Sequence, residues 1–508
     1  MFLAFHSGGP KLGYFFGQNR VKMTSLFLLF FVIFLEGYIV LSAELLSIRL
    51  AVPYVGSGTD TISIIIAAVL MPLAVGYYAG GQFQRYRGLG GMVTVRRKLL
   101  RNIFVASLFL LLGLSYVTAT TFFAFLNQNV VHNRLIVTTL YAGIFLVTPV
   151  YLLAQTIPLV SHFFRKEKLS YITGKMLFFS TLGSFMGAVF STLVLMAFIG
   201  VHYTVVVTIA CLCFLYWILS RQFFSRGSFL MLLVLLAAIG MNNDYIMKLD
   251  DVVGNNQYNI IKVKDMGQGN TRILSLNNNT SSAYTDTSGF GENALYYNST
   301  HGYVNYINRN FIDPIIGDTQ VRDFLIIGAG GFTIGIDDTH NNYTFIDLDK
   351  SLKDISEEHF LKRKLTDNKK FEATPARAFI SKAIHENKTF DMIVLDVFLG
   401  DKTIPEHLVT QEFYTSVKKV LKKDGIFLVN FIMPADFNTA FSIRVDNTLR
   451  RVFPNVSRQI IKDFDAWNSG SMKNANVLYI YFNKEETVDG YYSDNINRAY
   501  YDREKIVE

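Results

Sequence analysis

Six apolar stretches of about 20 residues crowd the first half of this chain, and they restrict its architecture more than any other feature. They run Ser25–Leu46, Ile62–Tyr78, Ile103–Leu126, Leu135–Ile157, Met176–Ile199 and Tyr203–Leu219. Stretches of this length match the hydrocarbon thickness of a bilayer. There a helix satisfies all its own backbone polar groups without water. A seventh stretch, Phe229–Met241, has only 13 residues, short enough to span, re-enter or lie flat. The first stretch begins too late and runs too long for a cleavable signal peptide. Beyond about residue 242 the composition turns to that of a globular domain rich in Asn, Asp and Lys. That break divides the chain. Before it lie an N-terminal segment (1–23) and a transmembrane domain (24–242); after it come a small β-rich part (250–320), an α/β domain (321–484) and a polar tail (485–508).

The net charge of +8 belongs largely to the loops. Arg85, Arg87, Arg96, Arg97, Lys98 and Arg101 follow the second stretch. Arg165, Lys166 and Lys168 follow the fourth, and Arg221 and Arg226 the sixth. The alternate loops, Val52–Asp60 and Gly200–His202, carry no Lys or Arg. Basic loops stay in the cytoplasm, so the chain is expected to be a multi-pass protein of the cell (inner) membrane with a cytoplasmic N-terminus. The same pattern explains the charge without nucleic acid, which is not an expected partner. Six crossings return the chain to the cytoplasm, whereas seven put the C-terminal half outside. Glu36, Glu44 and Arg49 fall in or at the edge of the first stretch. Charges at membrane depth face a partner or a wet cavity, and a Glu44–Arg49 pair that only fixes helix packing is the simpler alternative. Cys211 and Cys213, the only cysteines, lie within an apolar stretch and suggest neither a disulfide framework nor a zinc site. His340, His359 and His407 show no metal-ligand spacing, so no metal is expected.

In the C-terminal half the pattern changes to strands alternating with helices. Tyr258–Val263 and Arg272–Leu276 read as short β segments. Asp323–Ile327 is a buried strand running into Gly328-Ala329-Gly330-Gly331. Tyr343–Ile346 ends at Asp347 and Asp349, Phe371–Ala373 leads to a helix from Pro375, and Met392–Leu395 ends at Asp396. A helix over Gln411–Leu421 and a strand over Ile426–Asn430 complete the series. This alternation implies a doubly wound parallel sheet, whose ligands bind at the carboxyl ends of the strands. Gly328, Gly330, Gly331, Asp347 and Asp396 would gather there. A glycine turn lets backbone approach a ligand closely, and an acid ending the next strand can accept hydrogen bonds from ribose hydroxyls; each also has a bland reading, as a plain turn and as a helix N-cap. Together they point to a nucleoside site. The loop lacks the Lys-Ser/Thr of a phosphate-binding loop, so nucleotide hydrolysis is not expected.

Phe390–Asn430, with its FDMIVLD, IPEHLVTQEFY and VKKVLKKDGIFLVN segments, resembles the spermidine synthase family of polyamine aminopropyltransferases. Tyr258-Asn259-Ile260-Ile261-Lys262-Val263 is similar to that family's entry motif, with Asn259 in place of Gln. The first half resembles the family's membrane-fused branch through Ala43-Glu44-Leu45-Leu46, Gly76-Tyr77-Tyr78-Ala79-Gly80-Gly81, Gln155-Thr156-Ile157-Pro158 and Ser180-Thr181-Leu182-Gly183-Ser184. The resemblance implies a transmembrane helical bundle followed by a methyltransferase-like, Rossmann-type sheet with a small N-terminal β subdomain. It implies Asp396 as the catalytic acid-base group, Asp347 as the ribose ligand, and Asn259, Gly328, Gly330, Gly331 and Pro405 around the donor nucleoside. Tyr297, Asp401 and Glu406 are the candidates for holding the polyamine.

The implied reaction moves an aminopropyl group from decarboxylated S-adenosylmethionine, a co-substrate rather than a prosthetic group, to an amine. Several positions depart from the family. Gly331 and Leu399 stand where relatives have acids, Pro375 stands where they have an Asp beside the adenine, and Tyr297 replaces a polyamine-binding His. The alternative function is therefore a membrane sensor or transporter with a degenerate synthase-like domain that binds a nucleoside or polyamine without turnover. The expected partners are a small-molecule polyamine, a nucleoside, the lipid bilayer and, if the chain self-associates, a homo-oligomer. Because the donor is a cytosolic metabolite, the soluble domain is expected on the cytoplasmic side, with Phe229–Met241 not fully spanning.

Overall fold

The structure is a computed structural model and describes residues 12–56, 58–83, 89–129, 133–163, 169–222, 224–266, 271–286, 302–398, 404–461 and 475–484. The chain divides into two compact units. The first holds Met1–Thr300, Ser351–Lys364 and Phe398–Thr403, and the second His301–Lys350, Leu365–Val397 and Ile404–Glu508.

The first unit contains, among the described residues, six helices long and apolar enough to cross a membrane: Phe27–Val55, Thr59–Gly81, Arg134–Ser161, Tyr171–Phe198, Gly200–Ser220 and Arg226–Leu249. A bent pair, Val95–Leu114 and Tyr116–Leu126, makes a seventh if counted as one. Two elements differ from the sequence expectation. The apolar stretch read as running Ile103–Leu126 bends by 62° at Ser115. The backbone N–H of Tyr116 there donates to Asn242 Oδ1 (2.9 Å), and Asn242 Nδ2 donates to Ser115 Oγ (3.1 Å). A side chain from another helix thus satisfies a group that the bend frees. The last apolar helix is also longer than its 13-residue apolar core. Arg226–Met241 continues past Asn242 and Asn243 into Asp244–Leu249, 24 residues in all.

Small residues set the helix contacts. A Cβ on Gly37 would lie 2.3 Å from the Ser180 carbonyl, and one on Gly183 would lie 1.9 Å from that of Phe34. Gly76 and Gly80 likewise meet Tyr151, Ala154, Gln155 and Pro158. The glycine and Gln-Thr-Ile-Pro motifs of the first half are therefore places where helix backbones touch, as glycine permits in a bundle. Glu36 is buried at 1 % exposure, and its Oε2 has no hydrogen-bond partner among the described residues. Arg49 donates through Nε to the Asn256 carbonyl (2.8 Å), beyond the bundle.

An antiparallel sheet completes this unit: β1 (Val252–Asn255), β2 (Ile260–Met266), β3 (Thr271–Leu276) and β4 (Asn279–Thr285), in that order. Asn277 and Asn278, at φ 51° and 64°, make the tight turn between β3 and β4, as Asn does in two-residue hairpins. Ser351–Lys364 joins this unit although it interrupts the α/β sequence. Arg272 donates to the carbonyls of Phe360 and Leu361, and Tyr284 packs edge-on against Phe360 at 6.1 Å.

The second unit is built on a seven-stranded sheet of β5 (Asp323–Ile327), β6 (Asn342–Asp347), β7 (Lys369–Ala373), β8 (Phe390–Leu395), β9 (Leu421–Met433), β10 (Ser457–Ile461) and β11 (Ala475–Phe482). Its order is β10-β11-β9-β8-β5-β6-β7. β5 to β9 run parallel, and β11 pairs antiparallel with both β9 and β10. β5, β6 and β8 are apolar and largely buried, the signature of strands covered on both faces. The order reverses between β5 and β8, and this switch point fixes where a ligand site can form.

Candidate functional site

The turn after β5 lies at the switch point. Gly328 has φ +95°, and a Cβ there would sit 2.1 Å from the Asp396 backbone oxygen. Only glycine allows β5 and β8 to end this close together. Gly330 also has a positive φ, of 48°. Phe332 follows at φ 61°, unfavourable for a side chain of this size, and is held by edge-on contacts with Phe345 (5.0 Å) and Phe371 (5.5 Å). Asn308 fixes the far side of the turn, accepting from Gly335 N (2.9 Å) and donating to the Thr333 carbonyl (3.4 Å).

Asp347, at the end of β6, reaches back under this turn. Its Oδ2 accepts from Ala329 N and its Oδ1 from Asp349 N, both at 3.2 Å. Burial pushes its carboxyl up to about 6, against these backbone N–H groups, which pull it down. A carboxylate with two N–H donors retains further lone pairs for hydroxyls, so Asp347 can take a diol at the mouth of the turn.

Asp396 ends β8 directly beside Gly328. Tyr303 donates from its hydroxyl to Oδ2 (2.7 Å), and Asn430 donates from Nδ2 to Oδ1 (3.0 Å). Both carboxylate oxygens are thus fixed by neutral donors. Neither Tyr303 nor Asn430 is among the sequence candidates. Asn430 carries a readable signal, as a lone polar side chain inside the apolar run Ile426–Met433; Tyr303 carries none.

Pro405 is buried at the head of the short turn Glu406–Leu408, on which Glu406 is exposed. Arg377 secures this loop, donating to the His407 carbonyl through Nε (2.8 Å) and Nη2 (2.6 Å) and to Thr410 Oγ1 (2.8 Å). Pro375 is exposed just past β7. The second unit therefore brings Gly328, Gly330, Gly331, Asp347 and Asp396 to one sheet edge. Asn259 belongs to the first unit, where it accepts from Asn277 Nδ2 (2.9 Å). Tyr297, Leu399 and Asp401 lie outside the described residues. Among the described residues no group of three or more His, Cys, Asp or Glu side chains could hold a metal ion.

This strand order, with a glycine turn at the switch point and an acid ending the next strand, defines a methyltransferase-type α/β domain. Residues 314–466, mostly within the α/β unit, match the Spermine/spermidine synthase domain. The chain is 30 % identical over 132 residues to a polyamine aminopropyltransferase of Vibrio vulnificus, covering 25 % of this chain and 43 % of that one. It is 32 % identical over 135 residues to an N-terminal histidine N-methyltransferase of Emericella nidulans, covering 26 % and 23 %. The chain thus spans less than half the length of these curated relatives. Among solved structures, a probable spermidine synthase from Corynebacterium glutamicum is similar at 20 % identity and a TM-score of 0.36, over 47 % of this chain and 80 % of that one. A spermidine synthase in complex with the transition-state analogue AdoDATO is similar at 16 % identity and a TM-score of 0.34, over 46 % and 74 %.

Proposed function

We propose that this protein is a membrane-anchored aminopropyltransferase that uses decarboxylated S-adenosylmethionine as donor and a small amine as acceptor. The observation that carries the reading is the double anchoring of Asp396 by Tyr303 and Asn430 beside the glycine turn. In the reaction, the lone pair of a neutral amine attacks the methylene carbon next to the sulfonium. The new C–N bond forms as the C–S bond breaks, methylthioadenosine leaves neutral, and the amine's proton passes to Asp396. An acid that must accept a proton along one direction gains from having both oxygens held. In this reading Asp347 takes the ribose hydroxyls, with Gly328, Gly330, Gly331 and Pro405 around the nucleoside. Asn259, Tyr297, Asp401 and Glu406 remain its candidates for the rest of the donor and the polyamine.

The departures favour a second reading. Gly331 and the exposed Pro375 stand where relatives carry acids, and a polycation loses complementarity without them. A domain that binds nucleoside or polyamine without turnover would keep the turn and Asp347 while leaving Asp396 idle. The purified full-length protein separates the two. Methylthioadenosine binding with turnover of the donor on any amine of a panel supports the enzyme. Binding without turnover on any amine sinks it.

A further inference from the structure

The two ends of the helical bundle differ in charge, and hydrogen bonds fix which helix ends lie at which. Arg96, at the start of Val95–Leu114, donates through Nε to the Leu219 carbonyl (2.6 Å) and through Nη2 to that of Ser220. Lys98 lies over the Phe83 ring, 4.3 Å from its centre, just past the helix Thr59–Gly81. The basic start of the helix Leu89–Leu114, with Arg96 and Lys98, and the end of Gly200–Ser220, followed by Arg221, therefore share one end. At the other end Arg134 pairs with Asp60 (2.7 Å), Tyr54 donates to Thr120 Oγ1 (3.1 Å) and stacks on Phe123 (4.6 Å), and Asn242 holds Ser115.

These contacts assign the crossing of the bent pair. Val95–Leu114 starts at Ser220 on the basic end and finishes at Asn242 on the other. Its bent continuation, Tyr116–Leu126, stays at that far end beside Tyr54, and the next helix starts from there at Arg134. The bent pair crosses once.

The last helix also goes all the way. Its beginning lies by the end of Gly200–Ser220, where Trp217 Nε1 donates to the Ser228 carbonyl (3.4 Å) and Cys213 Sγ to that of Met231 (3.2 Å). Its end lies by the start of the same helix, where Tyr203 donates to Asp244 Oδ2 (3.1 Å) and His202 pairs with Asp244 Oδ1 (3.2 Å). Arg226–Met241 alone reaches about 24 Å at 1.5 Å per residue, and Asp244–Leu249 extends it to 24 residues in all, which suits a hydrocarbon core of ~30 Å. A re-entrant segment would turn back to the basic end, and this one does not. The β1–β4 sheet then sits at the far end. Tyr116 donates to Asp250, Lys262 pairs with it (2.7 Å), and Arg49 holds Asn256.

We propose that the chain crosses the membrane seven times and that its synthase-like domain lies on the non-cytoplasmic face. The Lys and Arg excess marks the other end as cytoplasmic. After Leu249 no described helix is long and apolar enough to return, and the intervening sequence segments are shorter or more polar than a span. This reverses the cytoplasmic placement expected from a cytosolic donor. It rests on the bundle reading rather than on aminopropyl transfer. Where transfer is the reaction, a carrier step must supply the donor, because a fixed sulfonium charge bars unaided passage through a bilayer.

The test uses full-length protein with Cys211→Ser and Cys213→Ser, carrying either Lys382→Cys on the α/β domain or Gln222→Cys at the basic end, both exposed positions. In sealed right-side-out vesicles a membrane-impermeant maleimide should label Lys382→Cys, and label Gln222→Cys only after detergent. Inverted vesicles should give the opposite order. Protection of Lys382→Cys in right-side-out vesicles, or equal labelling of both positions, overturns the proposal. Trypsin on the unmodified protein in the same vesicles gives the second reading: loss of the α/β domain is expected, and its survival until detergent is added overturns the proposal. Methylthioadenosine binding in detergent does not depend on sidedness, so failure of the nucleoside site would show separately.

Discussion

The Tyr303 hydroxyl donates a 2.7 Å hydrogen bond to Asp396 Oδ2, joining a side chain on the helix Gly302–Ile307 to the acid that ends β8. A bond to a charged group is worth about 1.5–3 kcal/mol, and its role here is to aim the carboxylate. Tyr303→Phe keeps the ring and removes the donor. The expected outcome is a kcat lower by about 10- to 100-fold, since ~1.4 kcal/mol is a factor of ten. Methylthioadenosine affinity should be unchanged, because the proposed reading puts the ribose contacts at Asp347. A variant with wild-type kcat would show that Tyr303 does not position the acid.

Asp347 predicts a pH dependence. Burial raises its carboxyl to about 6 in the unliganded protein, and only the ionised form can accept on both oxygens. Nucleoside affinity should therefore be level above pH 6 and fall by about tenfold per unit below it. The sign follows from the shift: at lower pH the protonated form, which burial favours, competes with the ligand. Asp347→Ala should weaken methylthioadenosine binding by about 1.5–3 kcal/mol and remove this limb. Calorimetric titration from pH 5 to 8 tests both, and an unchanged affinity in the folded variant would take Asp347 out of the site.

The features readable in the sequence are those that local chemistry dictates. Buried parallel strands show as unbroken apolar runs, so the polar residue ending each, Asp347 or Asp396, stands out. Features that depend on a distant partner are not readable. Nothing near Ser115 announces a 62° bend, because Asn242 from another helix caps the freed Tyr116 N–H. Asn242, Asn243 and Asp244 resemble a helix stop, yet the helix resumes at Asp244 with Asn243 as its N-cap, its side chain accepting from Ile246 N. That hides the length of the last apolar helix. Ser351–Lys364 sits in the first unit because Arg272, far away in sequence, binds the Phe360 and Leu361 carbonyls.

Gly328 should tolerate no side chain. A Cβ would meet the Asp396 carbonyl oxygen at 2.1 Å, and φ is +95°. An L-residue in such a conformation costs about 1–3 kcal/mol before the clash is counted, and the clash is with backbone that cannot rotate away. Gly328→Ala should lower the melting temperature of the α/β domain and abolish methylthioadenosine binding. Scanning calorimetry alongside a binding titration checks both. A variant as stable as the wild type would mean that β5 and β8 do not close on each other at this turn.

Asp396→Asn separates chemistry from binding. The amide keeps the size of the carboxylate and can still accept from Tyr303 or Asn430 through its one oxygen, but it can no longer take a proton from the amine. Its NH2 group also turns one of the two held positions from acceptor to donor, so either the Tyr303 or the Asn430 bond must rearrange. Loss of a general base costs a factor of about 10²–10⁴ in rate. Nucleoside affinity should change little, since Asp347 and the glycine turn remain. Single-turnover rates with the donor and an excess of the best amine, set beside methylthioadenosine titrations, give the two quantities independently. A large fall in rate at constant affinity is the expected result. Equal rates in the two proteins would free Asp396 of its assigned role, and a parallel loss of affinity would make it a ligand of the nucleoside rather than the base.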